Sequence, residues 1–358
     1  MEMELSPKFP RTFFESEAGG YYNWSSADSS ILSEAKVAAG KFVLKPQGSA
    51  LPHYSDCSKI GYVLQGVCTV GLVSLNKKDK MSFVYLKKGD IIGSPQGSVS
   101  WWYNHGDSDF AIVFLAETSK AHLPGEITYF LLTGPIGYLS AFSPEFIAKT
   151  YRINQEQAQT LSGSQQDAML IKLGEEQAKS IPLPHDQDAL NKWTKNLDRS
   201  LPGVDVKKGG KSTTLTGGEF LLLEEIGLSA NRLELEANAI RTPNYATDTQ
   251  VFYVVKGSGK VQIFGLNGKL VLDTEVETDQ LFVVPRFLMV SLLAGGEGME
   301  CFSVLTSARH DIGELAGKDS VLNTIPSFLQ VVLNLTPEFT QVFKQMQETG
   351  TVIVPPMN

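Results

Sequence analysis

Along most of the chain apolar and polar residues alternate over short stretches, and Gly, Pro, Asn and Asp punctuate the stretches. KKGDIIGSPQGSVSWWYN (87–104) and VFYVVKGSGKVQIFG (251–265) are two examples. A period of two sends successive side chains to opposite faces, so these stretches read as β-strands with one packed side. Many short strands at close spacing predict an all-β barrel or sandwich. Two stretches leave this pattern. AFSPEFIAKTYRINQEQAQTL (141–161) and NLTPEFTQVFKQMQ (334–347) each place Ser143 or Thr336 before Pro, then Glu. A hydroxyl cap, Pro at the first helical position and an early acid predict a helix start.

The same order is written twice. Pro52-His-Tyr-Ser-Asp-Cys-Ser-Lys-Ile-Gly-Tyr-Val-Leu-Gln-Gly66 aligns without a gap on Pro243-Asn-Tyr-Ala-Thr-Asp-Thr-Gln-Val-Phe-Tyr-Val-Val-Lys-Gly257. GDIIGSPQGSVSWW (89–102) matches DQLFVVPRFLMVSL (279–292), and SPEF (143–146) matches TPEF (336–339). An internal repeat of this length predicts two copies of one domain. The division expected is 1–175 for the first barrel with its helical arm, 176–215 for a polar, Gly-rich linker, and 216–358 for the second barrel with its arm.

These paired motifs resemble the two boxes of the cupin superfamily, doubled. They are most similar to plant 11S globulins of the legumin or glutelin type, and more narrowly to an unprocessed cytosolic branch of them. ALPHYSDCSKIGYVLQG, LFVVPRFLMVSLLAGGEGMECFSVLTS and the SPEF/TPEF extensions carry the resemblance over nearly the whole chain. It implies two jelly-roll barrels, each followed by a helical extension, and a homotrimer assembled through the helical arms. Metal-dependent cupins supply His-x-His, a Glu and a third His, a donor set suited to Mn or Fe. At the matching positions this chain has His53, Ser55, Lys59 and Ser100 in its first half, and Asn244, Ala246, Gln250 and Val290 in its second. One good ligand out of eight, with an ammonium in place of a carboxylate, predicts no metal and no cofactor.

Alternation puts His53 and Ser55 on one face of a strand, and Ser100 and Trp102 on one face of another. With Lys59 they form a polar group inside barrel one. A buried amine is pushed toward its neutral form. Lys59 beside His53 could then exchange protons, form a Schiff base, hold an anion, pair with Asp56 or reach solvent. The leading expectation is a metal-free bicupin that binds a small-molecule ligand in barrel one, extending to a cofactor-independent isomerase or cyclase. His53, Lys59 and Ser100 are then the catalytic candidates, and Ser55, Trp102, Asn244 and Gln250 the substrate-binding ones. The alternative is an 11S-globulin-like nutrient reservoir without catalysis. Three features argue against storage: no signal for the secretory path, a linker with no Asn-Gly cleavage site and no cysteine nearby, and few Arg residues (seven) with no nitrogen-rich tract.

Charge narrows the partners. Lys and Arg number 31 against 39 Asp and Glu, a net charge of −8, which argues against nucleic acid. No apolar run reaches membrane-spanning length, so no membrane contact is expected. Residues 1–20 carry acids and no apolar core where a secretory leader has positive charge and an apolar run, which predicts a cytoplasmic protein. Cys57, Cys68 and Cys301 are too few for a disulfide framework, and Cys57 reads as an inert surface thiol.

Overall fold

The computed structural model describes residues 4–75, 81–167, 169–181, 192–318, 320–323, 331–348 and 350–356. The first half runs β1 (Arg11–Ser16), β2 (Gly19–Trp24), α1 (Ser30–Ala35), β3 (Val37–Leu44), β4 (Gly48–Ser55), β5 (Ser58–Gln65), β6 (Val67–Val73), β7 (Ser82–Lys87), β8 (Asp90–Ser94), β9 (Val99–Tyr103) and β10 (Phe110–Glu117). Its arm holds β11 (Tyr129–Leu131), α2 (Tyr138–Ala141), α3 (Pro144–Tyr151), α4 (Gln155–Gly163), β12 (Leu170–Lys172) and α5 (Glu175–Lys179). One sheet has the order β1-β2-β3-β10-β5-β8 and the facing sheet β11-β4-β9-β6-β7, all antiparallel. Two antiparallel sheets closed around one core are the jelly roll that the alternation predicts.

Within 176–215, three strands join the sheets. β13 (Thr194–Asn196) pairs with β8, with Trp193 and Leu197 buried beside it. β14 (Val204–Val206) and β15 (Gly210–Leu215) form a hairpin against the second half. Residues 182–191 of this stretch lie outside the described residues. The second half continues with α6 (Leu221–Ile226), β16 (Ser229–Leu235), β17 (Ile240–Ala246), β18 (Gln250–Phe264), β19 (Leu270–Glu277), β20 (Leu281–Val284), β21 (Met289–Leu305), β22 (Ile312–Glu314), α7 (Pro337–Glu348) and β23 (Ile353–Val354). Here β18 and β21 are long enough to cross both layers, so the barrel is one continuous sheet. The glycines closing the repeated motif explain their own presence. Gly66 and Gly257 take φ of +75° and +78°, and a Cβ would meet the carbonyl oxygens of Asp109 and Gly298.

The halves are clasped reciprocally. The segment before β1 pairs Lys8 with Leu281 of β20, while β13, leading into the second half, pairs with β8 of the first. α6 lies against β8 at Gly93, where any Cβ would strike Leu222. Two related polar triads seal the contact. Tyr62 donates to Asp198 at 2.8 Å, and Arg232 of β16 sits 3.3 Å from Asp198, pairs with Glu300 at 2.9 Å and also contacts Glu234. Tyr253 donates to Asp279 at 2.6 Å, and Lys41 of β3 pairs with Asp279 at 2.7 Å. In each triad the Tyr and Asp approach a base from the opposite half. Tyr62 also stacks on Phe302 at 4.7 Å, and Trp24 meets Tyr253 edge-on at 5.9 Å.

The helix signals are realised. Ser143 accepts the amide of Phe146 at the start of α3, and Thr336 accepts the amide of Phe339 at the start of α7.

Candidate functional site in barrel one

β4, β5, β8 and β9 bring His53, Lys59, Ser94, Ser100 and Trp102 to one cavity of about 50 Å³. His53 stands opposite Ser100 in the β4–β9 register, and Lys59 opposite Ser94 in the β5–β8 register. Ser55 lies just behind, buried and in contact with the Lys59 amine. The sequence-predicted group in barrel one therefore does converge. Asn244 and Gln250 belong to a separate cavity in barrel two.

His53, Ser55, Lys59, Ser100 and Trp102 each already have a partner. The Lys59 amine donates to the Ser55 hydroxyl, which donates to the Cys57 carbonyl at 3.3 Å. Nζ also lies 5.0 Å from the centre of the Tyr129 ring and 5.7 Å from that of Phe114. His53 Nδ1 is 2.7 Å from the Leu51 carbonyl. A carbonyl only accepts, so Nδ1 carries the proton and the ring is the neutral tautomer. Trp102 Nε1 donates to Ser100 Oγ at 3.1 Å.

Burial dominates the electrostatics. It pulls the Lys59 amine below its usual range, against the weaker pull of Cys57 and Asp56. It also holds His53 down to about 4, assisted by the Lys59 charge and opposed by the bond to Leu51. No carboxylate lines the cavity. Asp56 is turned away and accepts the amides of His122 and Thr128 at 2.8 and 3.0 Å. Cys57 is 2% exposed, which corrects its reading as a surface thiol, and burial raises its thiol to about 11.

Several residues of this site escaped sequence reasoning. Tyr129 and Leu131 of β11, Met169 and Leu170 at β12, and Tyr21, Phe42 and Phe114 also line the cavity. Aromatic residues at inward strand positions were a usable signal for Phe42 and Phe114. The arm's return across β4 was not visible in the local pattern. Among the described residues, no group of three His, Cys, Asp or Glu converges as a metal site would require, and no helix is long and apolar enough to cross a membrane.

A Lys59 amine with a lowered pKa and a neutral His53 could in chemical terms move protons. The space beside them accepts a few waters, whereas organic ligands occupy pockets of roughly 300–1,000 Å³. A substitution tests how the lysine is accommodated. Lys59→Met keeps the length of the side chain and removes the buried amine, so its thermal midpoint at neutral pH should exceed that of the parent. The folded-state pKa of Lys59 lies below the unfolded one. Between them only the unfolded chain holds the proton, so stability rises with pH through that window. Midpoints measured from pH 7 to 10 should show this rise in the parent and not in the variant.

A family model described as Cupin matches residues 6–159 and 195–341. The 12S seed storage protein CRB of Arabidopsis thaliana is 26% identical, over 94% of this chain and 87% of its own length. Cocosin 1 of Cocos nucifera is 26% identical, over 91% of this chain and 81% of its own length. The crystal structure of pumpkin seed globulin superposes with a TM-score of 0.90 at 23% identity, covering 100% of this chain and 99% of that one. These relatives overturn the expectation of a metabolite-binding isomerase or cyclase: similarity across both halves runs to seed storage proteins, and the small volume of the cavity agrees. The expectation of a cytoplasmic protein falls with it, because the relatives are seed storage globulins. By its doubled motif, its two jelly rolls and these matches, the chain belongs to the cupin family, as a two-barrel member built like the 11S seed globulins.

Proposed function

We propose that the protein is a nutrient reservoir of the 11S-globulin type, without catalytic activity. The observation that carries this reading is the similarity of both halves to proteins named for seed storage. The small cavity of barrel one supports it. In this reading His53, Ser55, Lys59, Ser100 and Trp102 are the internally satisfied filling of a stable barrel. The functional division remains 1–175 and 216–358 joined through 176–215, with the later part of that join woven into both sheets.

Self-association through the arms is part of the proposal. Phe142 and Phe146 stack on each other and are exposed, and Phe339, Val342 and Met346 are exposed along one face of α7. Contiguous uncovered apolar faces of this kind usually meet a partner. A homotrimer is the expected assembly, and light scattering of the purified protein should give three times the chain mass.

The storage role is tested by quantitative mass spectrometry of seed tissue from filling through germination. The expected result is accumulation to an abundant level, then depletion as the seedling grows. A low level that stays flat through both phases would count against storage.

A further inference from the structure

The interior of barrel two holds an unmet amide donor at the place where barrel one has a paired amine. Gln250 is 5% exposed, and its Nε2 has no hydrogen-bond partner among the described residues. It lines a cavity of about 30 Å³ together with Asn244, Ser303, Asn231, Arg241 and His310. The internal repeat explains the orphan. Gln250 occupies the place of Lys59, and Ala246 the place of Ser55. In barrel one the hydroxyl of Ser55 receives the Lys59 amine. In barrel two that hydroxyl is missing, and the donor on Gln250 faces the cavity.

The lining selects a neutral ligand. Arg241 is matched by Glu314, with Nη1 to Oε2 at 2.8 Å, and His310 Nδ1 is 3.1 Å from Ser229 Oγ. Burial, with Arg241 beside it, keeps His310 uncharged at neutral pH. Asn231 Nδ2 donates to Ser212 and Thr214, both at 2.8 Å. Asn244 Nδ2 donates to Thr242 O at 3.1 Å and to Val290 O at 3.4 Å. Amide and hydroxyl oxygens therefore stand beside the free Gln250 donor, with no net charge to attract an ion. A buried water needs roughly 10–15 Å³ in this measure and two to four polar neighbours.

We propose that barrel two binds one or two ordered water molecules that accept from Gln250 Nε2 and link it to the amide and hydroxyl groups of the opposite wall. Oxygen-17 relaxation dispersion of the full chain counts such long-lived waters. Gln250→Met removes the donor at similar volume, and Ala246→Ser supplies the missing hydroxyl. Both variants should lose at least one long-lived water relative to the parent, and a high-resolution crystal structure of the parent should show water density within hydrogen-bond distance of Nε2. An unchanged water count in both variants would overturn the proposal. So would Gln250 turned onto a protein acceptor in the crystal, or an anion in the cavity revealed by anomalous scattering after a bromide soak.

Discussion

Acidification from pH 7 to pH 4 is expected to cost the folded protein at most about 3 kcal/mol for each of two partly buried histidines. Burial holds His53 and His310 down to about 4, against the usual value near 6.5 in the unfolded chain. Between those values the unfolded chain binds a proton that the folded chain refuses. Stability is therefore complete above about pH 6.5, falls as the pH drops, and levels off for these groups below about pH 4. Urea midpoints across this range measure the effect. In His53→Asn and His310→Asn the amide can still donate a hydrogen bond and cannot titrate here. The double variant should lose most of the difference in acid sensitivity, and a double variant as acid-sensitive as the parent would show that the histidines are not its source.

Arg232→Met should be the most damaging single change at the contact between the halves. The guanidinium is close to Asp198, Glu234 and Glu300, and its side chain is only 11% exposed. Its removal leaves Asp198 and Glu300 without their cation, while Glu234 keeps Lys211 at 3.1 Å. Breaking a buried pair by removing one partner typically costs about 3–5 kcal/mol, and the partial exposure of the acids puts this case near the lower end. Lys41→Met, by contrast, strands one carboxylate that still accepts from Tyr253 and should cost about 1 kcal/mol. Calorimetry of the two variants separates them. Equal losses would mean that the triads contribute by packing rather than by charge.

Much of the architecture was legible because it rests on local rules. Alternation marked the strands, the hydroxyl-Pro-Glu signals marked α3 and α7, and the repeat marked two barrels. The inward set of barrel one followed from strand geometry alone. What could not be read depended on contacts between distant segments. Tyr129 covers Lys59 because β11 returns to pair with β4, and nothing near residue 129 encodes that pairing. Lys59 and Ser55 are four residues apart, yet their contact needs the tight turn between β4 and β5. An Asn-Gly pair such as Asn267-Gly268 commonly marks a two-residue hairpin turn; here a 3₁₀ turn sits in a wider loop in which Gly265 N donates to Lys269 O at 2.8 Å. Within 176–215, Thr194–Asn196 reads as polar linker because its strand character is supplied by β8 and not by its own side chains. The function was misread for a related reason. Buried polar residues suggested a site, and the similarity of both halves to storage proteins decided against it.

The reciprocal clasp has a consequence for how such a chain could arise. A lone barrel would leave the edge strand β8 or β20 without the leader that now covers it, and its own leader without a seat. A second copy of the same barrel would satisfy both needs at once. Joining the two in tandem places inside a single polypeptide the handshake that separate single-barrel subunits would otherwise have to make by collision.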